Sequence, residues 1–191
     1  MEPTTAPRHA EIIRAFVNTR DLEDGTEALA DGAALTAWLG EQGLSPPGAA
    51  AGDGDAALAR ELREALRDLL TARHDDAVEP AAQRRLDALA ADLPLRVDFA
   101  GQLPALAPLG AGSRAGLAGV LAAVGHAAAD GSWPRLKVCP ADDCRWAFYD
   151  TSRNRSRTWC SMQVCGNRTK TRAYRSRRRF GDGGGEDGPH G

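Results

Sequence analysis

Two short segments, Cys139-Pro-Ala-Asp-Asp-Cys144 and Cys160-Ser-Met-Gln-Val-Cys165, decide how the C-terminal part of this chain folds. Each segment holds two cysteines separated by four residues, and fifteen residues lie between the two segments. This spacing is typical of a structural metal site, because zinc takes four thiolate ligands at tetrahedral corners and each pair supplies two of them. The sequence therefore predicts one structural zinc ion, with four ligands: Cys139, Cys144, Cys160 and Cys165.

Two alternatives to zinc remain open for these cysteines. Disulfides require an oxidising compartment, and the start of the chain, Met1-Glu-Pro-Thr-Thr-Ala-Pro7, lacks the basic and then apolar pattern of a signal peptide. An iron–sulfur cluster also takes four cysteines. No apolar run approaches the roughly 20 residues that span a bilayer, so we expect a cytoplasmic protein with no membrane partner.

The formal net charge of -2 conceals a division of charge along the chain. Residues 1–132 hold 11 arginines against 20 acidic residues, whereas residues 133–180 hold 13 basic residues against 3 aspartates. A segment this basic attracts polyanions, although a solvated basic surface is the simpler alternative. Seven of the ten aromatic residues also lie in 133–180, and we assign most of them to the core of a domain too small to be held by aliphatic residues alone.

The residues after Cys165 are polar, strongly basic and free of proline, which predicts a helix over 166–179 with Asn167 as its N-cap. Four arginines would line one face of this helix, at spacings of four, three and four residues. The preceding segment, 151–157, predicts a loop that carries three more arginines. We expect the loop to contact phosphates and Arg168 to contact bases. The predicted DNA-binding residues are Arg153, Asn154, Arg155, Arg157, Asn167, Arg168, Lys170, Arg172, Arg175 and Arg179.

The N-terminal part of the sequence is mainly helical in pattern. Leucines recur at helical spacing over 55–74, with arginine and glutamate on the opposite face. Further helices are predicted at 81–93, at 113–129 with Ser113 as N-cap, and within 25–39. Residues 95–99 alternate as a strand does, 45–54 form a loop, and 181–191 form a disordered, acidic, glycine-rich tail. The Asp130-Gly-Ser-Trp-Pro134 break, where the charge changes sign, marks a domain boundary.

The C-terminal residues resemble a known family. The runs Arg135-Leu-Lys-Val-Cys139, Asp143-Cys-Arg-Trp-Ala-Phe-Tyr149, Trp159-Cys-Ser-Met162 and Cys165-Gly-Asn-Arg168 are similar to the CGNR zinc finger family of bacterial proteins. That resemblance implies that the four cysteines bind zinc and that the finger binds DNA. In this family the finger commonly follows a domain called ABATE, named for stress-induced transcription regulation and thought to sense a ligand. Phe16-Val-Asn-Thr-Arg-Asp21 looks like the opening of that domain.

Together these patterns predict an α+β protein with a mainly helical, ABATE-like domain at 11–130 and a small treble-type four-cysteine zinc finger, with a C-terminal basic helix, at 133–179. We expect a transcription regulator whose finger binds duplex DNA and whose N-terminal domain senses a small-molecule effector or mediates assembly, for example as a homodimer. Asn18, Thr19 and Arg20 are the candidate effector pocket, or alternatively a capped turn with an ion pair.

Two other functions stay open from the sequence, namely an RNA-binding zinc module and a zinc-stabilised protein-interaction module. An enzyme is disfavoured. The histidines are scattered, no nucleophile motif or phosphate loop is present, and a four-cysteine site leaves no ligand position for a water molecule.

Overall fold

The structure is a computed structural model that describes residues 5–45, 49–74 and 79–172. These residues form α-helices and two antiparallel hairpins. The helices are α1 (Arg8–Val17), α2 (Gly32–Glu41), α3 (Asp53–His74), α4 (Pro80–Ala90) and α5 (Gly112–Ala129). The strands are β1 (Leu95–Asp98), β2 (Ala105–Pro108), β3 (Leu136–Val138) and β4 (Ala147–Tyr149). A π-helical turn, Met162–Gly166, continues as α-helix over 167–172, and we call 162–172 helix α6.

The helical core follows the sequence pattern. The leucines at 62, 66 and 70 of α3 are at most 1% exposed, and they pack with α1, α2 and α5. The predicted fold class, mainly helical and followed by a four-cysteine finger, is confirmed. Helix α1 was not predicted, although Ala10, Ile13 and Val17 follow helical spacing and are fully buried. None of the helices in the described ranges is long and apolar enough to cross a membrane.

Two details at the helix and strand boundaries differ from the sequence predictions. Helix α5 begins at Gly112 without a side-chain cap, so Ser113 as its N-cap is wrong. The Ser113 hydroxyl instead donates to Asp55 Oδ2 at 2.8 Å, which ties α5 to the start of α3. The strand predicted at 95–99 is β1, and it pairs with β2, a proline-flanked strand that the sequence pattern did not indicate.

The predicted exposure of the α3 arginines is wrong for two of them. Helical spacing placed them on the solvent face, yet Arg63 is 2% exposed and Arg67 is 1% exposed. Arg63 donates to both carboxylate oxygens of Glu27, at 2.6 and 2.8 Å. Arg67 donates to Val17 O at 2.6 Å, at the end of α1. The carboxylate contacts outweigh the cost of burial for Arg63, whose pKa is raised, whereas burial dominates for Arg67, whose pKa is lowered and whose Nε has no hydrogen-bond partner among the described residues.

The hairpin β3–β4 belongs to the same core. Leu136, Val138 and Ala147 are at most 1% exposed and cluster with residues of α1, α3 and α5. The predicted domain boundary at 130–134 coincides with the end of α5, but the chain re-enters the helical core two residues later. The cysteines form a second, smaller cluster beyond this hairpin. The metal centre is therefore attached to the helical part through shared packing.

Candidate metal centre and nucleic-acid interface

The four cysteines come together at one point. Their sulfur atoms all lie within 4.8 Å of one another. Cys160 Sγ is 3.5 Å from Cys144 Sγ and 3.6 Å from Cys165 Sγ. Four sulfurs bonded to one zinc ion at about 2.3 Å are separated by about 3.8 Å. The sulfur cluster is therefore close to the size that a tetrahedral zinc ion requires.

The backbone around the cysteines positions each pair. Cys139 N donates to Trp146 O at 2.9 Å, which extends the β3–β4 pairing to the first ligand. The turn to Cys144 closes with hydrogen bonds from the amides of residues 144 and 145 to Ala141 O, and Arg145 completes it with φ 48°. The second pair lies at the start of α6. Ser161 is the N-cap of that helix, and its Oγ accepts from Val164 N at 3.3 Å.

Without a metal ion, two of the four thiols are held in the protonated form. Burial raises the pKa of the Cys144 thiol to about 12 and raises that of Cys160 as well. Burial also acts on Cys139, but hydrogen bonds from the backbone at Ala141 and Cys160 outweigh it and lower the pKa of that thiol. Four buried thiolates would repel one another, and a divalent ion removes this repulsion as it displaces the protons. The donor set, four sulfurs and no oxygen, fits zinc.

A second structured element lies beside the metal centre, and sequence reasoning missed its key residue. Asp150 is fully buried, and its carboxylate accepts four hydrogen bonds. Its donors are Lys137 Nζ at 2.7 Å, Ser152 N at 2.9 Å, Ser152 Oγ at 2.6 Å and Arg157 N at 3.0 Å. Burial raises the pKa of Asp150, but these donors outweigh it and hold the pKa below its usual value. The Asp-x-Ser pattern is a known signal for such a side-chain turn.

The residues of strand β3 and its approach fix the rest of this turn. Lys137 Nζ also donates to the carbonyl oxygens of Arg155 and Arg157. Arg135 donates to the carbonyl oxygens of Asp150 and Ser152, both at 2.9 Å. The segment 151–157, predicted as a loop, is thus held at its base by buried Asp150 and by the partly buried side chains of Lys137 and Arg135. We call it the basic turn.

Some of the predicted DNA-binding side chains are free at the surface. Arg153, Asn154, Arg155 and Lys170 are exposed, and within the described ranges their side chains have no partner. Arg157 behaves differently, because it donates to the carbonyl oxygens of Trp159 and Cys160 and stacks 5.0 Å over the Phe148 ring. Two further predicted residues, Arg175 and Arg179, lie outside the described residues.

Apart from Lys170, the predicted residues in the second half of α6 have partners within the chain. Arg168 donates to Asp143 at 2.8 Å and to Glu23 at 2.9 Å, and Arg172 donates to Asp143 at 2.9 Å. Asn167 as the N-cap is wrong, since Ser161 caps a helix that begins five residues earlier. The Asn167 amide lies within the helix and donates to Gln163 O at 3.1 Å.

The residues predicted as an effector pocket also have partners within the chain. Asn18 donates to Ala147 O at 2.9 Å and accepts from Ala147 N at 2.8 Å, so it pairs with β4 as a strand would. Thr19 Oγ1 donates to Phe16 O at 2.7 Å. Arg20 lies 3.6 Å from Glu27. These are the contacts of the capped turn with an ion pair, the alternative that the sequence left open.

Comparison with known proteins gives two matches that divide the chain near residue 133. The model of the CGNR zinc finger family matches residues 135–178. The model of the ABATE family, described as "Putative stress-induced transcription regulator", matches residues 12–131. No curated protein matches the chain. The metal centre and the basic turn both lie within the first match, and the helical core lies mostly within the second.

Proposed function

Because this chain belongs to the ABATE family, whose description is that of a transcription regulator, we propose that it regulates transcription by binding duplex DNA through its zinc finger. One zinc ion, bound by the four cysteines, stabilises the finger. The family names point to a regulator rather than to an enzyme. The N-terminal domain acts in sensing a small-molecule effector or in assembly.

The observation that carries this proposal is the basic turn. Arg153 and Arg155 project from a segment whose backbone is fixed by buried Asp150 and Lys137. A fixed turn loses little conformational entropy when its side chains bind phosphate. Arginine donates several hydrogen bonds in a fork that fits phosphate oxygens. Free cations on a rigid base, inside a segment with 13 basic residues against 3 acidic ones, are suited to contacting a nucleic-acid backbone.

The charge of the helical part supports a division of labour. Residues 1–132 hold 20 acidic residues against 11 arginines, so this part repels DNA and is unsuited to bind it. A regulatory or assembly role for it agrees with the family description and with its mainly aliphatic core. In contrast, the metal centre has four protein ligands and leaves no open position, which favours a structural ion over a catalytic one.

The test is the salt dependence of binding to duplex DNA, with an RNA hairpin as competitor. Each phosphate contact gives a slope of about -0.9 in a plot of log affinity against log salt. Among the described residues, the free cations Arg153, Arg155 and Lys170 contribute about -2.7 to this slope, and contacts by Arg175 and Arg179, which lie outside those residues, add to it. We expect such binding, with duplex DNA preferred over RNA. Preference for the RNA would indicate an RNA-binding module, and affinity that does not change with salt would overturn the proposal in favour of a protein-interaction module.

A further inference from the structure

The turn that follows α1 is acidic, well ordered by hydrogen bonds, and in contact with the finger. Three of its four residues, Asp21, Glu23 and Asp24, are acidic. Asp21 Oδ1 accepts from the amides of Glu23 and Asp24, at 2.8 and 3.1 Å. Gly25, with φ 70°, turns the chain back. We call residues 21–24 the acidic turn. The turn places the exposed side chains of Glu23 and Asp24 at the surface.

Only one of these two surface carboxylates contacts a basic side chain within the described residues. Glu23 Oε1 lies 2.9 Å from Arg168, which is 145 positions away in sequence. The other terminal nitrogen of Arg168 donates to Asp143 within the finger. Asp24 has no side-chain partner in the described part of the chain. The Glu23–Arg168 pair is therefore a direct electrostatic link between the region that matches ABATE and the region that matches the zinc finger.

A carboxylate and a phosphate compete for the same groups of an arginine, because both accept from its paired N–H groups. While Glu23 and Asp143 occupy both terminal nitrogens of Arg168, this side chain cannot bind a phosphate or a guanine edge without exchanging a partner. Asp143 lies in the finger and accepts from both Arg168 and Arg172 of α6. Within the described residues, the side chain of Glu23 contacts α6 only through Arg168.

We propose that Glu23 is an intramolecular competitor of DNA, and that its ion pair with Arg168 holds the finger in a state of lower affinity. This inference rests on the proposed DNA-binding function. An effector or assembly event that displaces the acidic turn raises the affinity by freeing Arg168. The hairpin β3–β4 stays in the shared core, so the change is local and the two parts need not separate.

The size of the effect follows from the exposure of the pair. The side chain of Glu23 is 51% exposed and that of Arg168 is 25% exposed. Ion pairs at such surface positions are weak, which suits a contact that must open. Their measured range corresponds to a change in affinity of about 1.4- to fivefold. One additional phosphate contact by the freed Arg168 steepens the salt slope by about 0.9.

The experiment compares Glu23→Gln with Asp24→Asn in the full-length, zinc-loaded protein. Both variants remove one negative charge from the acidic turn, but only the first breaks an ion pair. Duplex DNA affinity is measured across a salt series, and zinc content and melting temperature verify folding. We expect Glu23→Gln to bind DNA about 1.4- to fivefold more tightly than Asp24→Asn. The gain should disappear when Arg168→Gln is added.

Equal affinities and slopes for the two variants would overturn the competitor role while leaving DNA binding intact. A gain that persists in the Glu23→Gln, Arg168→Gln double variant would also overturn it, because the gain would then come from the general loss of charge. If neither the unmodified protein nor any variant binds duplex DNA, the proposed function fails and this inference fails with it.

Discussion

Replacing Asp150 by asparagine tests whether the basic turn depends on one buried carboxylate. Asparagine keeps the shape of the side chain but replaces one carboxylate oxygen by an amide nitrogen, which only donates. Each oxygen of Asp150 accepts two hydrogen bonds, one oxygen from Ser152 N and Oγ and the other from Lys137 Nζ and Arg157 N. An amide nitrogen facing Lys137 Nζ and Arg157 N loses two of the four bonds and places donors against donors. An amide nitrogen facing Ser152 loses the bond from Ser152 N, although the Ser152 hydroxyl can then accept instead of donate.

The magnitude follows from the nature of these bonds. A hydrogen bond to a charged group contributes about 1.5 to 3 kcal/mol, and breaking a buried ion pair by removing one partner costs about 3 to 5 kcal/mol. Lys137 keeps two carbonyl acceptors, at Arg155 and Arg157, so we expect the lower limit, about 3 kcal/mol. For a chain of this size that corresponds to a fall in melting temperature of about 6 to 12 °C.

The assay is thermal unfolding followed by circular dichroism, with zinc content measured on the same samples. Asp142→Asn is the matched control, since Asp142 is an exposed neighbour whose side chain has no partner among the described residues. A surface change of this kind alters the free energy of unfolding by at most about 0.5 kcal/mol. If Asp150→Asn and Asp142→Asn melt at the same temperature, the Asp150 carboxylate does not hold the turn as described.

Three further predictions concern the shared core. Burial raises the pKa of Glu27, but hydrogen bonds from Arg63 and Leu29 N outweigh it and hold the pKa below 4.5. The resulting stability is present above pH 4.5 and lost as pH falls through the lower folded pKa. Glu27→Gln should remove this pH dependence and lower the free energy of unfolding by about 3 kcal/mol. If the variant unfolds in acid at the same pH as the unmodified protein, the Glu27–Arg63 pair does not contribute this stability. Asn18→Ala should cost about 2 kcal/mol, measured by urea unfolding, because it leaves buried groups of Ala147 unpaired; a cost near zero would show that the pairing is dispensable. Removing zinc with a chelator should lower the melting temperature of the helices as well, because β3–β4 packs in their core. If the helices melt at the same temperature with and without the chelator, the finger and the helical part unfold as two independent units.

The cysteine cluster and the long helices could be predicted from the sequence because the patterns that indicate them are local. Cysteine spacing alone identified four ligands whose sulfurs the fold brings together. The leucine period of α3 identified its buried face. Residues a few positions apart determine each of these patterns, so no knowledge of distant contacts is needed.

The two N-cap errors, at Ser113 and Asn167, concern local helix boundaries. The other errors came from contacts between residues far apart in the chain. Helical spacing predicted that Arg63 faces solvent, but an ion pair with Glu27, 36 residues earlier in the chain, allows Arg63 to be buried. A row of arginines on α6 suggested a free cationic face, but Arg168 meets Glu23 across 145 residues. The role of Asp150 depends on Lys137 from the neighbouring strand. A periodic pattern assigns each side chain to one face of a helix, but it does not show which residues from other elements contact that face.

The most direct test of the proposed function is the salt dependence of DNA binding by the variant Arg153→Ala, Arg155→Ala. Its matched control is Arg84→Ala, Arg85→Ala, which removes the same charge from exposed positions on α4. We expect the control to keep the slope of the unmodified protein, and the slope of the basic-turn variant to be less steep by about 1.8, since two phosphate contacts are lost. Equal slopes for the two double variants, in proteins that both retain zinc, would show that the basic turn does not contact DNA.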